Sequence, residues 1–524
     1  MQSEINTPQQ DTRNLRPAVA TGDDSGSAAG EPKPCPHNDI VDGPSRHNEV
    51  SRRDVLRFGT LGVGAAFGLS RLGGQLREAS GSLGGPEASR RTFAVKKPIS
   101  LTLWNWAGTS ITENQFAAVK AAMGKKYSNV TLDVKTYTGG DAGIAEKLNL
   151  ALTAHTTLPD IVFLNYIEVP EFAVKGAIMN LGDYYKHVQG KLYAGAEAVA
   201  KVNGEYFAVA NELKSKLFYY RKDLFESAGI DSASIPNMSV AEYIQMGKTF
   251  TAKHPGKYIM NLGNEPPEYF FGELISAYAP ISFANRQGKY DITSNPAFAD
   301  VLSFMHKIYA SGIAYPVIDF STAWPAAIKA EKICGFLIAI WMDSFLPSYA
   351  TMSAYGKWGA VPWPKLSPLA DQRYGSDAGG EAWVIPVGSS NRSLAAELIA
   401  DWHFDDRAAL RTFEVSGQLP TLSSIQDQVI SAVESQKKPA SMSKTDWLEL
   451  PQNYFGGSSY IKLALESQNW DKVFGFDPKA LVDWETIMVN WMYKAVQGKV
   501  SVEAALKGMQ SQMESQVGNP WSAS

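Results

Sequence analysis

The chain has 524 residues, 44% of them hydrophobic, enough to bury a large core and to divide into more than one globular unit. Forty-nine Lys and Arg stand against 53 Asp and Glu, a net charge of -4, so no polycationic surface exists for nucleic acid or anionic lipid. Aromatic residues reach 11% and include 13 Trp, all beyond residue 100, an excess that suits either a large core or a binding surface.

The cysteines are Cys35 and Cys334. The first falls in a leader expected to be removed, which leaves a single thiol and no internal disulfide. The seven His are scattered singly, without HExxH or paired helical spacing, so no metal site, cofactor or catalytic residue is assigned.

Residues 1–50 are rich in Ser, Pro, Gly, Asp and Asn and have too few large apolar groups to offset the entropy of ordering, the mark of a disordered leader. Ser51-Arg52-Arg53-Asp54-Val55-Leu56-Arg57 then precedes an apolar run over residues 58–69. Two arginines before such a run form a twin-arginine export signal, placed at residues 51–80. The run is too short to cross ~30 Å of hydrocarbon, and no Cys follows it for lipid attachment. Glu78-Ala79-Ser80 and Glu87-Ala88-Ser89 are candidate cleavage points, and residues 81–97 form a linker. The working location is periplasmic or extracytoplasmic.

The folded region opens with Ile99-Ser100-Leu101-Thr102-Leu103-Trp104, alternating as a strand does. Helical spacing follows over residues 113–126, strand alternation over 130–134, helical spacing over 144–152, and the short apolar strand Ile161-Val162-Phe163-Leu164. This βαβαβ succession specifies an α/β lobe with a largely parallel sheet. Ligands collect where the strands of such a sheet end, which singles out Trp104, Asn105, Trp106, Asn165 and Tyr166.

From here the chain resembles the bacterial extracellular solute-binding proteins of the sugar-binding, maltodextrin-binding-like class, over residues 98–515. Leu158-Pro159-Asp160-Ile161-Val162-Phe163 and Gly176-Ala177-Ile178-Met179-Asn180-Leu181 carry the likeness. So do Leu217-Phe218-Tyr219-Tyr220-Arg221-Lys222-Asp223-Leu224-Phe225 with Ala228-Gly229, and Gly379-Gly380-Glu381-Ala382-Trp383-Val384-Ile385-Pro386 followed by Ser389-Ser390-Asn391. Arg221 stands where the family usually has Asn. The resemblance also places a helix over residues 296–312, ending on a glycine cap.

The resemblance implies an α/β, two-lobed periplasmic-binding-protein-like fold of type II, with hinge strands and a ligand cleft between lobes. Residues 98–211 and 384–430 would form lobe one; residues 212–383 and 431–518 would form lobe two. It implies a monomeric binding protein, not an enzyme, that closes on a carbohydrate and delivers it to the permease subunits of an ABC importer. Glu212 would lie just after the first crossing, with Tyr269, Trp341, Trp383 and Trp484 at aromatic positions. Aromatic rings suit the C–H face of a sugar, and Asp343 and Glu381 supply acceptors for its hydroxyls. Trp324, Trp358 and Trp363 belong to core or cleft rim, and Tyr454 and Phe455 to a rim loop. A polyamine, a metal chelate, a phosphorylated polyol, or a secreted glycan-degrading activity are the alternatives.

Overall fold

The computed structural model describes residues 97–106, 109–137, 140–266, 268–367, 380–438 and 442–522. The expected leader, the signal at Arg52 and Arg53, both candidate cleavage points and Cys35 lie outside the described residues.

Three parallel strands begin the first sheet: Ile99–Asn105 in the middle, Val130–Thr136 on its outer side and Ile161–Asn165 on its inner side. The inner strand is buried throughout, whereas only Val130 is buried in the outer one, as expected of an edge strand. Glu381–Val384 and Val209–Ala210 then add antiparallel to complete five strands. The expected helices are present as Thr109–Met123 and Gly140–Thr153.

Asp160 shows how distant motifs meet. Its carboxylate accepts from the Thr102 amide at 2.9 Å, from the Ser389 hydroxyl at 2.5 Å and from the Asn391 amide at 3.2 Å. The Pro-Asp segment and the Ser-Ser-Asn segment, over two hundred residues apart, are thus clamped to the strand between them.

The second sheet has three antiparallel strands: Gly335–Ala339, Lys216–Arg221 in the centre, and Trp358–Pro362. Every residue of the central strand is buried. Its side chains alternate between two hydrophobic clusters, as strand periodicity requires. Leu217 and Tyr219 join a cluster continuous with the first sheet. Phe218 and Tyr220 join a cluster on the opposite face, with Phe271, Phe283, Phe298 and the helices Pro296–Ser311, Val489–Val496 and Val502–Gln516. The helix Pro296–Ser311 ends on Gly312 at φ 73°, the left-handed cap expected there.

The ends of the central strand carry buried cations. The Lys216 ammonium donates to the Glu273 carbonyl and lies 4.6 Å from the Trp363 ring centre. Arg221 donates to both oxygens of Asp223, at 2.9 and 2.8 Å, and to Glu331 at 2.7 Å. Hydrogen bonds from Lys257 and Arg221 hold the Glu331 carboxyl down at about 2. Arg221 therefore has a structural use that an Asn could not fill. Cys334, one residue before the edge strand, is fully buried and donates to the Glu331 carbonyl, and burial pushes its thiol up to about 12.

Several aromatic expectations are corrected here. Trp484 is a core residue, not a cleft wall: it is enclosed by Phe271, Phe283, Phe474 and Phe476 at 5.2–5.7 Å. Trp383 lies inside the first sheet's core, 4.3 Å from Phe163, with its indole donating to Asn211 at 2.9 Å. Trp324, Trp358 and Trp363 are core rather than rim. Tyr454 and Phe455 are buried against Tyr460 and Tyr355 and form no rim loop. The lobe division expected between residues 383 and 384 falls inside Glu381–Val384, a strand that pairs within the first sheet. No helix among the described residues is long and apolar enough to cross a membrane.

Trp484→Ala should lower the unfolding free energy by ~3–5 kcal/mol, the usual range for emptying an indole site in a core. Urea denaturation followed by circular dichroism measures it; a loss under ~1 kcal/mol would return Trp484 to the surface.

Candidate functional site

The chain passes from the first sheet to the second through residues 211–215, which link Val209–Ala210 to Lys216–Arg221. Lys214 is buried in this crossing. Its ammonium donates to Glu212 Oε1 at 2.5 Å and lies 3.3 Å from Glu381 Oε2. The Lys214 and Glu381 side chains are only 6% and 8% exposed, so each charge is desolvated and depends on the other for compensation.

Backbone pairing assembles this group. Glu381 lies opposite Asn165 in adjacent strands, and the Asn211 amide donates to the Glu381 carbonyl at 2.9 Å. The Tyr166 hydroxyl donates to the Glu212 carbonyl. Gly380 is needed here, since a Cβ at that position would sit 2.0 Å from the Tyr166 ring. The structure thus links Asn165, Tyr166, Glu212 and Glu381 to one another, and Glu212 and Glu381 share Lys214, which sequence reasoning missed. A lysine in Glu-Leu-Lys-Ser-Lys carries no local signal of burial.

Asp343 joins from the other sheet. It lies in the first turn of the helix Met342–Tyr349, and the Tyr460 hydroxyl donates to its Oδ2 at 2.7 Å. Burial pushes its carboxyl up to about 7, with Tyr460 opposing, Glu212 adding to the rise and Lys214 opposing.

One turn away stands a group of rings. Trp341 meets Tyr269 edge-on at 5.8 Å, Phe345 edge-on at 5.5 Å, and is overlaid by Phe320 at 5.3 Å. Phe320 is 37% exposed and has φ 59°, a left-handed conformation that a bulky side chain adopts rarely. It too was missed: with no glycine or asparagine at the position, nothing in the sequence announces that backbone.

The remaining candidates lie apart from these groups. Asn105 is fully buried; its amide donates to Thr112 at 2.7 Å and accepts from Thr136 at 3.0 Å, so one end ties the strand to the following helix and the other ties it to the neighbouring strand. Trp104 is buried edge-on to Tyr137 at 5.4 Å, beneath the Lys147 ammonium at 5.0 Å. Trp106 is partly buried against Phe163 at 5.9 Å, and its indole N–H meets no acceptor among the described residues. Among the described residues no three His, Cys, Asp or Glu side chains converge as a metal site would require.

A family model described as bacterial extracellular solute-binding protein matches residues 117–443. A lactose-binding protein of Rhizobium radiobacter is 22% identical over 318 residues, which span 58% of this chain and 71% of that protein. An arabinooligosaccharide-binding protein of Halalkalibacterium halodurans is 23% identical over 330 residues, spanning 62% and 71%. Among solved structures, the galacto-N-biose/lacto-N-biose I-binding protein of an ABC transporter from Bifidobacterium longum, in complex with lacto-N-biose, superposes with a TM-score of 0.64. It is 17% identical and covers 82% of this chain and 99% of its own. At that identity the likeness shows the fold, the two-lobed α/β arrangement of type II periplasmic binding proteins.

Lys214→Met should cost ~3–5 kcal/mol of stability, because Glu212 and Glu381 are left without their shared cation. Adding Glu381→Gln should restore part of that loss. Chemical denaturation of the two variants checks both statements; equal stability of Lys214→Met and the unaltered protein would remove the ion cluster from the fold's supports.

Proposed function

The chain belongs to the bacterial extracellular solute-binding proteins, and on that premise we propose that it captures a sugar or short oligosaccharide and delivers it to the permease subunits of an ABC importer. The observation that carries the sugar is the pairing of two surfaces around residues 341–343: rings at Tyr269, Phe320 and Trp341, and polar groups at Glu212, Lys214, Asp343 and Glu381. Rings take the C–H face of a pyranose while carboxylates and an ammonium take its hydroxyls. The lactose-binding and arabinooligosaccharide-binding relatives support the same class of ligand.

On this reading Asn165 and Tyr166 line the floor, and the rings line the wall carried by lobe two. Capture is a hinge motion about residues 211–215, stabilised only by what the solute gains in the closed state over the open one. Lobe one takes residues 98–211 with 381–430, and lobe two takes 212–380 with 431–518. Arg52 and Arg53 support export of the folded monomer through the twin-arginine route to an extracytoplasmic site. The protein acts by binding and performs no glycan hydrolysis.

A polyamine is the second reading, favoured by one observation: three carboxylates, Glu212, Asp343 and Glu381, act around a single Lys214. A phosphorylated polyol fits less well, since that one ammonium is already held by two carboxylates.

Thermal unfolding with lactose, spermidine and glycerol phosphate separates these readings. A ligand at ~100 times its dissociation constant stabilises the fold by ~2.7 kcal/mol. Lactose should raise the midpoint and survive incubation unhydrolysed, and Trp341→Ala should fold but lose the response. A rise with spermidine alone would overturn the sugar; disaccharide cleavage would overturn the binding-only role.

A further inference from the structure

The helix Met342–Tyr349 carries two parallel rows of side chains. Trp341 at its N-cap, Phe345 and Tyr349 stand about one turn apart, so they share a face and span ~12 Å along the axis. Each ring touches the next: Trp341 meets Phe345 at 5.5 Å, and Phe345 meets Tyr349 at 5.5 Å. All three are partly exposed. Beside them, one residue ahead of each of the last two rings, run Ser344 and Ser348, both exposed. The Ser344 hydroxyl donates to the Trp341 carbonyl at 2.8 Å, and its oxygen still accepts. From Ser344 to Gly356 the chain has no charged residue.

Phe320 widens the row. It overlies Trp341 at 5.3 Å and stands edge-on to Phe345 at 5.7 Å and to Trp324 at 5.2 Å. Its left-handed backbone is anchored on both sides. The Asn261 amide donates to the Val317 carbonyl at 3.2 Å and to Asp319 Oδ1 at 2.9 Å. Ser321 donates to the Ile318 carbonyl through its amide at 3.3 Å and its hydroxyl at 2.7 Å. A bulky residue keeps such a backbone only where its surroundings over-determine it, and such places cluster at ligand clamps. Here the outcome is a ring that is 37% exposed and fixed above the row.

We propose that the row is a run of sugar subsites and that the solute is a neutral oligosaccharide of three or more units, with Phe345, Ser348 and Tyr349 setting the preference for length. The inference rests on the sugar reading above. Pyranose and phenyl are six-membered rings of similar breadth, so one sugar unit covers one aromatic side chain and a disaccharide leaves part of the row bare. The C–H faces meet the rings, and the hydroxyls meet serines that both donate and accept. Beyond Asp343 this helix offers a polyamine no carboxylate and a phosphate no cation. Because Phe320 is fixed beforehand, the cost of ordering it falls on folding and not on binding.

Calorimetry on the unaltered protein, with glucose, galactose and arabinose oligomers of two, three, four and six units, gives the first readout. In a series that binds, affinity should rise about tenfold from two units to three, rise again to four, and then level off. Affinity that is equal or falls from two units to four overturns the inference and leaves the sugar reading intact. Binding of no sugar at any length overturns both.

Two variants give the second readout. Ser348 is exposed, so Ser348→Glu keeps the fold while placing a charge on the row; Tyr349→Ala removes its last ring. Each should weaken the four-unit ligand about tenfold and leave the disaccharide within about twofold. A purely structural role would change all lengths alike, and that result overturns the subsites. Should Tyr349→Ala fail to fold, Ser348→Glu and the length series still decide.

Discussion

Burying a strand on both faces leaves its ends as the places where polar groups must be dealt with, and Lys216–Arg221 shows how this chain does so. A Lys and an Arg terminate four large apolar residues, and neither cation reaches water freely. Lys216 is held by a carbonyl and a Trp363 face, and Arg221 by two carboxylates. These attachments fix where the strand starts and stops. The crossing just before it is fixed as well, by the Ser215–Ser467 hydroxyl pair at 2.7 Å and by the Ile340 amide donating to the Ser215 carbonyl at 2.7 Å. Lys214 and Glu212 inherit their positions from that strand, and so does Tyr219.

The groups gathered near the crossing follow from what flanks this strand. Its edge neighbour Gly335–Ala339 runs directly into Ile340 and Trp341, so the turn leaving the sheet carries both the ring and Asp343. On the other side of the crossing, Glu381 arrives on a strand that pairs with Asn165. Trp341 and Asp343 thus leave the second sheet together, while Glu381 belongs to the first and Glu212 and Lys214 sit on the chain that passes between them.

The three parallel strands of the first sheet were legible in the sequence because they are five to seven residues long and separated by helices of ordinary length, so periodicity has room to register. Two-residue strands such as Met260–Asn261 and Ala314–Tyr315 leave no such pattern. The tryptophans were the weak point. Trp341 is partly exposed among rings while Trp383 and Trp484 are sealed in cores, yet each sits in a comparable apolar stretch with nothing local to distinguish it. Asn105 misled for a related reason: strand ends gather ligands, but they also need polar groups to close off the sheet, and here both ends of the amide serve that need. Phe320 and Lys214 were invisible because a positive φ and a shared cation are properties of tertiary packing, not of sequence neighbours.

Cys334 has a consequence outside the site. The species that attacks a disulfide or an alkylating reagent is the thiolate. With its thiol pushed up to about 12 and its side chain fully buried, only on the order of one molecule in 10^5 carries it at neutral pH. The sulfur lies beside the edge of the second sheet, where its backbone amide donates to the Tyr258 carbonyl at 2.8 Å and its carbonyl accepts from the Arg221 amide at 2.9 Å. Chemical modification must wait for that edge to detach. Cys334 is thus a natural clock for local opening, silent while the second sheet is whole and readable by mass spectrometry of its own labelled peptide without any engineered probe.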